Sequence, residues 1–381
     1  MNSSFDNIRP YAPDELPAAF SRLCGYEAFR RVLASFFPNI PIDALTAALG
    51  QSVSSTDFQK RFAVPILDRL IADRTDGLTY AGLERSDVPT LYITNHRDIV
   101  IDPAFLDYTQ LLVGNDSVEI GIGDNLLSLP WVYELVRINK CFIVRRGLPR
   151  GEQIAAFKQL SAYIRYAVCT KHTSVWIAQR EGRAKDSNDR TQESILKMFA
   201  LSGDGTFIDN LKSLNIRPVS ISYEFDPCDY LKAKEFQQKR DDAAFVKSAQ
   251  DDIDSMRTGI VGSKGRVHYA YTPCINPELD ALALSTPNRK EQVEAVATLI
   301  DRRIHANYVL YPINKVAYDI LTGSSWFAGD YSEAEKTAVV TYFDGQLAKI
   351  DLPNKDEAFL RTKLLEMYAN PLKNWLTAHN L

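Results

Sequence analysis

Leu91–Leu106 reads LYITNHRDIVIDPAFL, and the fold follows from how these residues are read. An apolar run of strand length ends in Asn95-His96-Arg97, two aspartates follow within six residues of the histidine, and apolar residues then resume at helical spacing. Strand, polar loop and helix make up the repeating unit of an α/β sheet. Loops at strand ends are also where such proteins place reacting groups, because the strand fixes the backbone while the loop presents a polar side chain in a crevice. His96 in that place can act as a base. A carboxylate on its other ring nitrogen would fix the tautomer and stabilise the imidazolium, and either Asp98 or Asp102 can serve. The same residues admit a purely structural reading, a hydrogen-bonded histidine beside an Asp102-Pro103 helix start.

Working outward, apolar runs of strand length recur at 90–94, 118–122, 141–144, 174–178 and 218–223, with a further strand expected over 266–271. Helix patterns lie between them, near 103–113, 129–138, 151–171 and 191–202, and again over 290–307 and after Tyr331. This alternation predicts an α/β fold with a mixed sheet flanked by helices. Residues 1–78 show helical spacing without clear strands, as in Leu16, Ala19, Phe20 and Leu23 or Phe58, Phe62, Ile66 and Leu70, and are read as a small helical domain. Residues 79–381 form the α/β domain with a helical C-terminal extension, whose charges read as a solvated face.

The 381 residues allow a sizeable core, and a prior of about 100 to 200 residues per domain agrees with two domains. Hydrophobic residues make up 45% and charged residues 24%, so disorder is not expected. A formal net charge of -4 gives no global basic field for nucleic acid, and any anion site must come from local clustering of Lys and Arg. Five scattered cysteines, Cys24, Cys141, Cys169, Cys228 and Cys274, form no C-x-x-C, so neither disulfides nor structural zinc are expected. The N-terminal stretch lacks a basic segment followed by an apolar one, so no secretory signal is expected and the cytoplasm is the expected location. No stretch approaches the roughly 18 uninterrupted apolar residues of a membrane span. Membrane contact would be peripheral, at the inner face; the Trp131 and Tyr133 region is one surface for it, although burial is the more ordinary fate of those rings.

Three further strand ends carry polar groups. Gly123-Asp124-Asn125 and then Phe142-Ile143-Val144-Arg145-Arg146-Gly147 follow the second and third runs, and arginine at a strand end suits a phosphate or carboxylate because its planar fork binds two oxygens. The densest is Gln179-Arg180-Glu181-Gly182-Arg183-Ala184-Lys185-Asp186, running on to Thr191, where a helix start would add free N–H groups to the cationic side chains. Arg217–Tyr223 is mainly a buried strand whose proline marks its beginning.

Taken in order, NHR with its aspartates, FIVRRG, REGRAKD and PVSISYE resemble the four motif blocks of the glycerolipid acyltransferase family, over about Leu91 to Tyr223. An N-terminal helical region before an α/β domain without a membrane span is similar to the soluble glycerol-3-phosphate acyltransferases. The resemblance implies a glycerol-3-phosphate acyltransferase-like fold with His96 as general base and an aspartate as its partner. It also implies phosphate contacts from Arg145, Glu181, Gly182 and Arg183, beside which the cationic neighbours Arg97, Arg146 and Lys185 are further candidates. The donor would be acyl-CoA or acyl-carrier protein, and the acceptor a hydroxyl of glycerol-3-phosphate or of a lyso-phospholipid such as lysophosphatidic acid. No metal and no cofactor are implied, and no nucleic-acid partner.

Two departures stand beside the resemblance. His96 and Asp102 enclose five residues where the family has four, and Arg183 follows Gly182 directly where the family has a threonine. Asp102 is the favoured partner, a small bulge after His96 absorbing the extra residue, with Asp98 the alternative. The rival readings are a metal-dependent hydrolase using His96, Asp98 and Asp102 as ligands, and a catalytically altered homologue that binds an acyl carrier or lipid headgroup. Nucleotide-binding loops and a nucleophile elbow lack their glycine spacing.

Overall fold

The computed structural model describes residues 3–381. Five helices open the chain, α1 (Leu16–Gly25), α2 (Glu27–Phe36), α3 (Ile42–Gly50), α4 (Ser55–Phe58) and α5 (Val64–Arg74). Seven strands follow, β1 (Leu78–Ala81), β2 (Leu91–Thr94), β3 (Glu119–Gly123), β4 (Cys141–Val144), β5 (Val175–Ala178), β6 (Arg217–Tyr223) and β7 (Val267–Tyr271). They form one sheet in the order β1-β7-β6-β2-β5-β3-β4. Strands β6, β2, β5, β3 and β4 run parallel, whereas β7 is antiparallel to β6 and carries β1 parallel to itself at the edge. The sheet is therefore mixed, as expected from the sequence.

Parallel neighbours need long crossovers, and helices supply them: α6 (Ile101–Leu112), α7 (Pro130–Ile138), α8 (Arg150–Arg165), α9 (Glu193–Phe199) and α10 (Phe207–Lys212). Strand β2 is central and buried throughout, which is why it reads as an unbroken apolar run. Its residues still alternate. Leu91 and Ile93 join a cluster with Phe142, Val175 and Ile177 on one face, while Tyr92 joins Ile120, Trp176 and Ile221 on the other. Register keeps the strand ends level, with Thr94 opposite both Ala178 and Val219, and Gly123 opposite Val144. The loops after β2, β3, β4 and β5 consequently emerge at one edge of the sheet.

The later helices are α11 (Asp229–Asp241), α12 (Ala249–Val261), α13 (Asn276–Ser285), α14 (Arg289–Ala306), α15 (Pro312–Thr322), α16 (Glu333–Ala348) and α17 (Glu357–Ala378). Helices α15, α16 and α17 bury Ile313, Phe343, Leu364 and Tyr368 with Ala233 of α11 in a core of their own. Among the described residues no helix is long and apolar enough to cross a membrane.

Helices α10, α11, α12, α13 and α15 lie where no helix was expected, and two further features stand out. Strand β1 had no pattern to reveal it, being four residues at the sheet edge with three of them exposed. The N-terminal helices are present, but their apolar cluster of Leu16, Phe20, Leu23, Phe58 and Phe62 takes in Ile138, with Trp131 and Leu135 packed against it. Glu134 of α7 accepts from both Tyr11 and Arg22, and Ile143 N–H donates to the Ile8 carbonyl at 2.8 Å. The helices thus share a core with the α/β layer, and Trp131 is packed within it against Phe29, with ring centroids 6.2 Å apart.

Candidate active site

Helix α6 begins at Ile101, so Asp102 lies in its first turn with its carboxylate turned back over the loop that leaves β2. Oδ2 of Asp102 meets three groups: Nδ1 of His96 at 2.8 Å and the backbone N–H groups of Arg97 at 2.6 Å and Asp98 at 3.0 Å. An anion at a helix N-terminus is also favoured by the helix dipole. The aspartate is fully buried, while the His96 side chain is 12% exposed and stands edge-on to Trp176. With Nδ1–H donating to the carboxylate, Nε2 keeps its lone pair and is the ring nitrogen available to a ligand. The five-residue interval between His96 and Asp102 is absorbed because the carboxylate reaches back from inside the helix rather than from its cap.

Asp98, the alternative partner, does not meet the imidazole. Its Oδ1 accepts from Val100 and Ile101 N–H at 2.9 and 2.8 Å, so it performs the capping that the sequence assigned to Asp102. Burial, and then the neighbouring Asp102, push its carboxyl pKa up. A side chain at Gly259 of α12 would collide with Asp98 Oδ2, so the glycine lets that helix close over the loop.

Arg97 is likewise turned inward, away from the place expected of a phosphate contact. Its guanidinium holds Asp189 through both nitrogens, at 2.9 and 2.7 Å, and is almost wholly buried. Asp189 in turn accepts from Tyr308 at 2.5 Å. This pair ties the loop after β2 to the loop after β5.

The other expected residues converge. His96, Arg145, Arg146, Glu181, Gly182, Arg183 and Lys185 all line one cavity of about 1230 Å³. Arg146 is fixed by its N–H to Asp124 and by an ion pair with Glu181 at 3.1 Å. Gly182 takes a φ of +69°, a left-handed conformation open to glycine, and so turns the chain between Glu181 and Arg183. Arg183 lies within electrostatic reach of Asp98 and Asp226, and its Nη1 is buried without a partner. Lys185 is paired with Glu235, and burial lowers its ammonium pKa. The helix start at Thr191 does not add free donors, because Thr191 N–H and Oγ1 both donate to Asp301 and Gln192 N–H donates to the Gln179 carbonyl.

From this polar end the cavity continues among apolar side chains of the N-terminal helices, including Phe29, Leu33, Phe58, Phe62 and Leu67, and of α8 at Phe157. Its size exceeds the roughly 300–1,000 Å³ of ordinary small-molecule pockets. Residues given no role in the sequence analysis also form its wall: Arg180 of the loop after β5, Lys247, and the face of α12 that carries Ile253, Met256, Arg257 and Ile260. Arg180 could have been found from its place in the cationic loop; α12 could not, since nothing in its sequence marks it as facing a cavity. Among the described residues no group of three or more His, Cys, Asp and Glu side chains is arranged to hold a metal ion.

No family model matches the sequence, and no curated protein matches it. Among solved structures, the 1-acyl-sn-glycerophosphate (LPA) acyltransferase PlsC from Thermotoga maritima aligns with 74% of this chain and 94% of its own, at 10% sequence identity and a TM-score of 0.32. A superposition of that quality assigns no role to any residue, and the roles considered below rest on the geometry of this chain.

Proposed function

We propose that the protein is an O-acyltransferase that moves a fatty acyl group from a thioester to a hydroxyl of a phosphate-bearing acceptor, glycerol-3-phosphate or a lyso-phospholipid. The observation that carries the reading is the position of His96. Its free Nε2 stands in a cavity that is cationic on one side, at Arg145, Arg146 and Arg183, and apolar on the other, between the N-terminal helices. A phosphate suits the first compartment and an acyl chain the second.

In this reading His96 Nε2 takes the proton of the acceptor hydroxyl as its oxygen attacks the thioester carbonyl. The tetrahedral intermediate then collapses, the C–S bond breaks, and the imidazolium returns the proton to the departing thiolate. Asp102 holds the ring in the productive tautomer and balances its charge while protonated. Positioning of the phosphate by arginine brings the hydroxyl to reacting distance and supplies much of the acceleration. Delivery of the acyl chain from a membrane surface belongs to the same proposal.

Acyl transfer by the wild-type protein and by His96→Ala tests it, using acyl-CoA and acyl-carrier protein against glycerol-3-phosphate and lysophosphatidic acid, with products read by mass spectrometry. His96-dependent product is expected, with a loss of about 10²- to 10⁴-fold in the variant. Wild-type turnover in the variant would remove the histidine from the reaction. Ligand binding without turnover by the folded wild-type protein would replace catalysis with a carrier-binding role.

A further inference from the structure

The cavity holds more positive charge than one acceptor phosphate can balance. Among the described residues seven cationic side chains line it, Arg145, Arg146, Arg180, Arg183, Lys185, Lys247 and Arg257, against three carboxylates, Asp107, Glu181 and Asp252. A phosphate monoester brings about −2 at neutral pH. Among the described residues, Arg145, Arg180 and Arg257 have neither a hydrogen-bond nor an ion-pair partner, and Arg183 has no ion pair. Arg146, Lys185 and Lys247, by contrast, are paired with Glu181, Glu235 and Asp252.

Arg257 differs from the other two unpaired arginines in where it comes from. It stands on α12, outside the strand-end loops, on a face that lines the cavity with the apolar Ile253, Met256, Ile260 and Val261 and with Asp252, which is paired with Lys247. Helix α12 packs against α5, whose Ile66, Leu67 and Leu70 line the apolar compartment. Asn125 reaches Asp252 at 3.2 Å, so the same helix also meets the loop after β3 at the polar end. Arg257 therefore borders both compartments. A phosphate held there would lie within reach of a molecule whose chain occupies the apolar side.

We infer that Arg257 is the anchor of a second anion subsite, distinct from the one at Arg183, which holds the phosphate of the donor's phosphopantetheine arm. That phosphate ester is shared by coenzyme A and by acyl-carrier protein, so the subsite takes either donor. The inference rests on the acyltransferase reading above and deepens it by assigning the two phosphates to different sides of the cavity.

The experiment compares wild-type protein with Arg257→Gln, an exposed position where the change leaves packing intact. Three donors carrying one acyl chain are used: acyl-CoA, acyl-phosphopantetheine, and acyl-pantetheine, which lacks the phosphate. Loss of one exposed charge-assisted contact should raise the KM of the first two donors about tenfold. The KM for acyl-pantetheine and for the acceptor should not move. An equal rise for all three donors, a rise confined to acyl-CoA, or a rise in acceptor KM each overturns the assignment. Calorimetry with an unreactive thioether analogue of acyl-phosphopantetheine separates this from failure of the reaction itself. About tenfold weaker binding by Arg257→Gln supports the subsite even if no acceptor turns over, whereas equal affinity removes it.

Discussion

Two buried aspartates with several donors each, one at the sheet edge and one in the C-terminal helices, have opposite consequences. Asp229 accepts from Tyr342 and Tyr368 at 2.7 and 2.8 Å on one oxygen, and from Gln346 and Tyr230 N–H at 2.6 and 2.5 Å on the other. Both oxygens are satisfied by groups packed into the bundle, and no donor there faces a cavity. Asp102 gathers its three donors on Oδ2 alone, leaves Oδ1 without a partner, and orients an imidazole that lines the cavity with its second nitrogen unbonded. A polar cluster becomes a candidate site when one member remains unsatisfied toward a place a ligand can reach. The number of hydrogen bonds does not decide it.

The comparison is broken most directly by Asp102→Asn. The amide keeps the shape and an acceptor for the backbone N–H groups but loses the charge that stabilises the imidazolium, so kcat should fall by about 10²- to 10⁴-fold while the unfolding midpoint changes little. A variant that unfolds but retains its specific activity would make Asp102 a structural group like Asp229.

A second contrast separates two arginines that sequence alone had grouped. Arg97→Ala leaves Asp189 buried and unpaired and should cost about 3–5 kcal/mol of stability in denaturant titration. Arg183→Ala should leave the unfolding curve near wild type and raise the acceptor KM with a much smaller change in the thioester KM. If both variants behave alike, the division between a structural and a binding arginine is wrong.

The smallest effect concerns Asp229 and pH. Burial, and then the nearby Asp226, push its carboxyl pKa up to about 7. Its folded pKa lies above the unfolded value near 3.9, so its contribution is fully present below about pH 4 and is lost as pH rises through about 7. Denaturation midpoints between pH 5 and pH 8 should decline for the wild type, and Asp229→Asn should flatten that decline. Parallel curves would mean that another group sets the slope.

Much of the architecture was legible because strand-length apolar runs alternate with helix patterns, and six of the seven strands lie where those runs lie. The order of polar strand ends was legible for the same reason: strands buried on both faces have nowhere to keep polar residues except at their ends. Strand β1 escaped because an exposed edge strand needs no apolar residues. Helix α12 escaped because its cavity-facing residues look like any core stripe. The roles of Asp98 and Asp102 could not be assigned in advance, since starting α6 at Ile101 rather than at Pro103 exchanges their tasks. Arg97 and Arg183 were equally indistinct, because a guanidinium binds a buried aspartate and a ligand phosphate with the same fork.

By itself the sequence determined the α/β class, the succession of strands and the loops that carry His96, Arg145 and Arg183, because alternation and turn chemistry act over a few residues at a time. Tertiary structure decided which aspartate meets the histidine, which arginine is spent inside the fold, and which distant helix closes the cavity. Those outcomes depend on register, burial, the exact start of a helix and the approach of segments far apart in the chain, such as Arg97 and Asp189, and no local pattern encodes them.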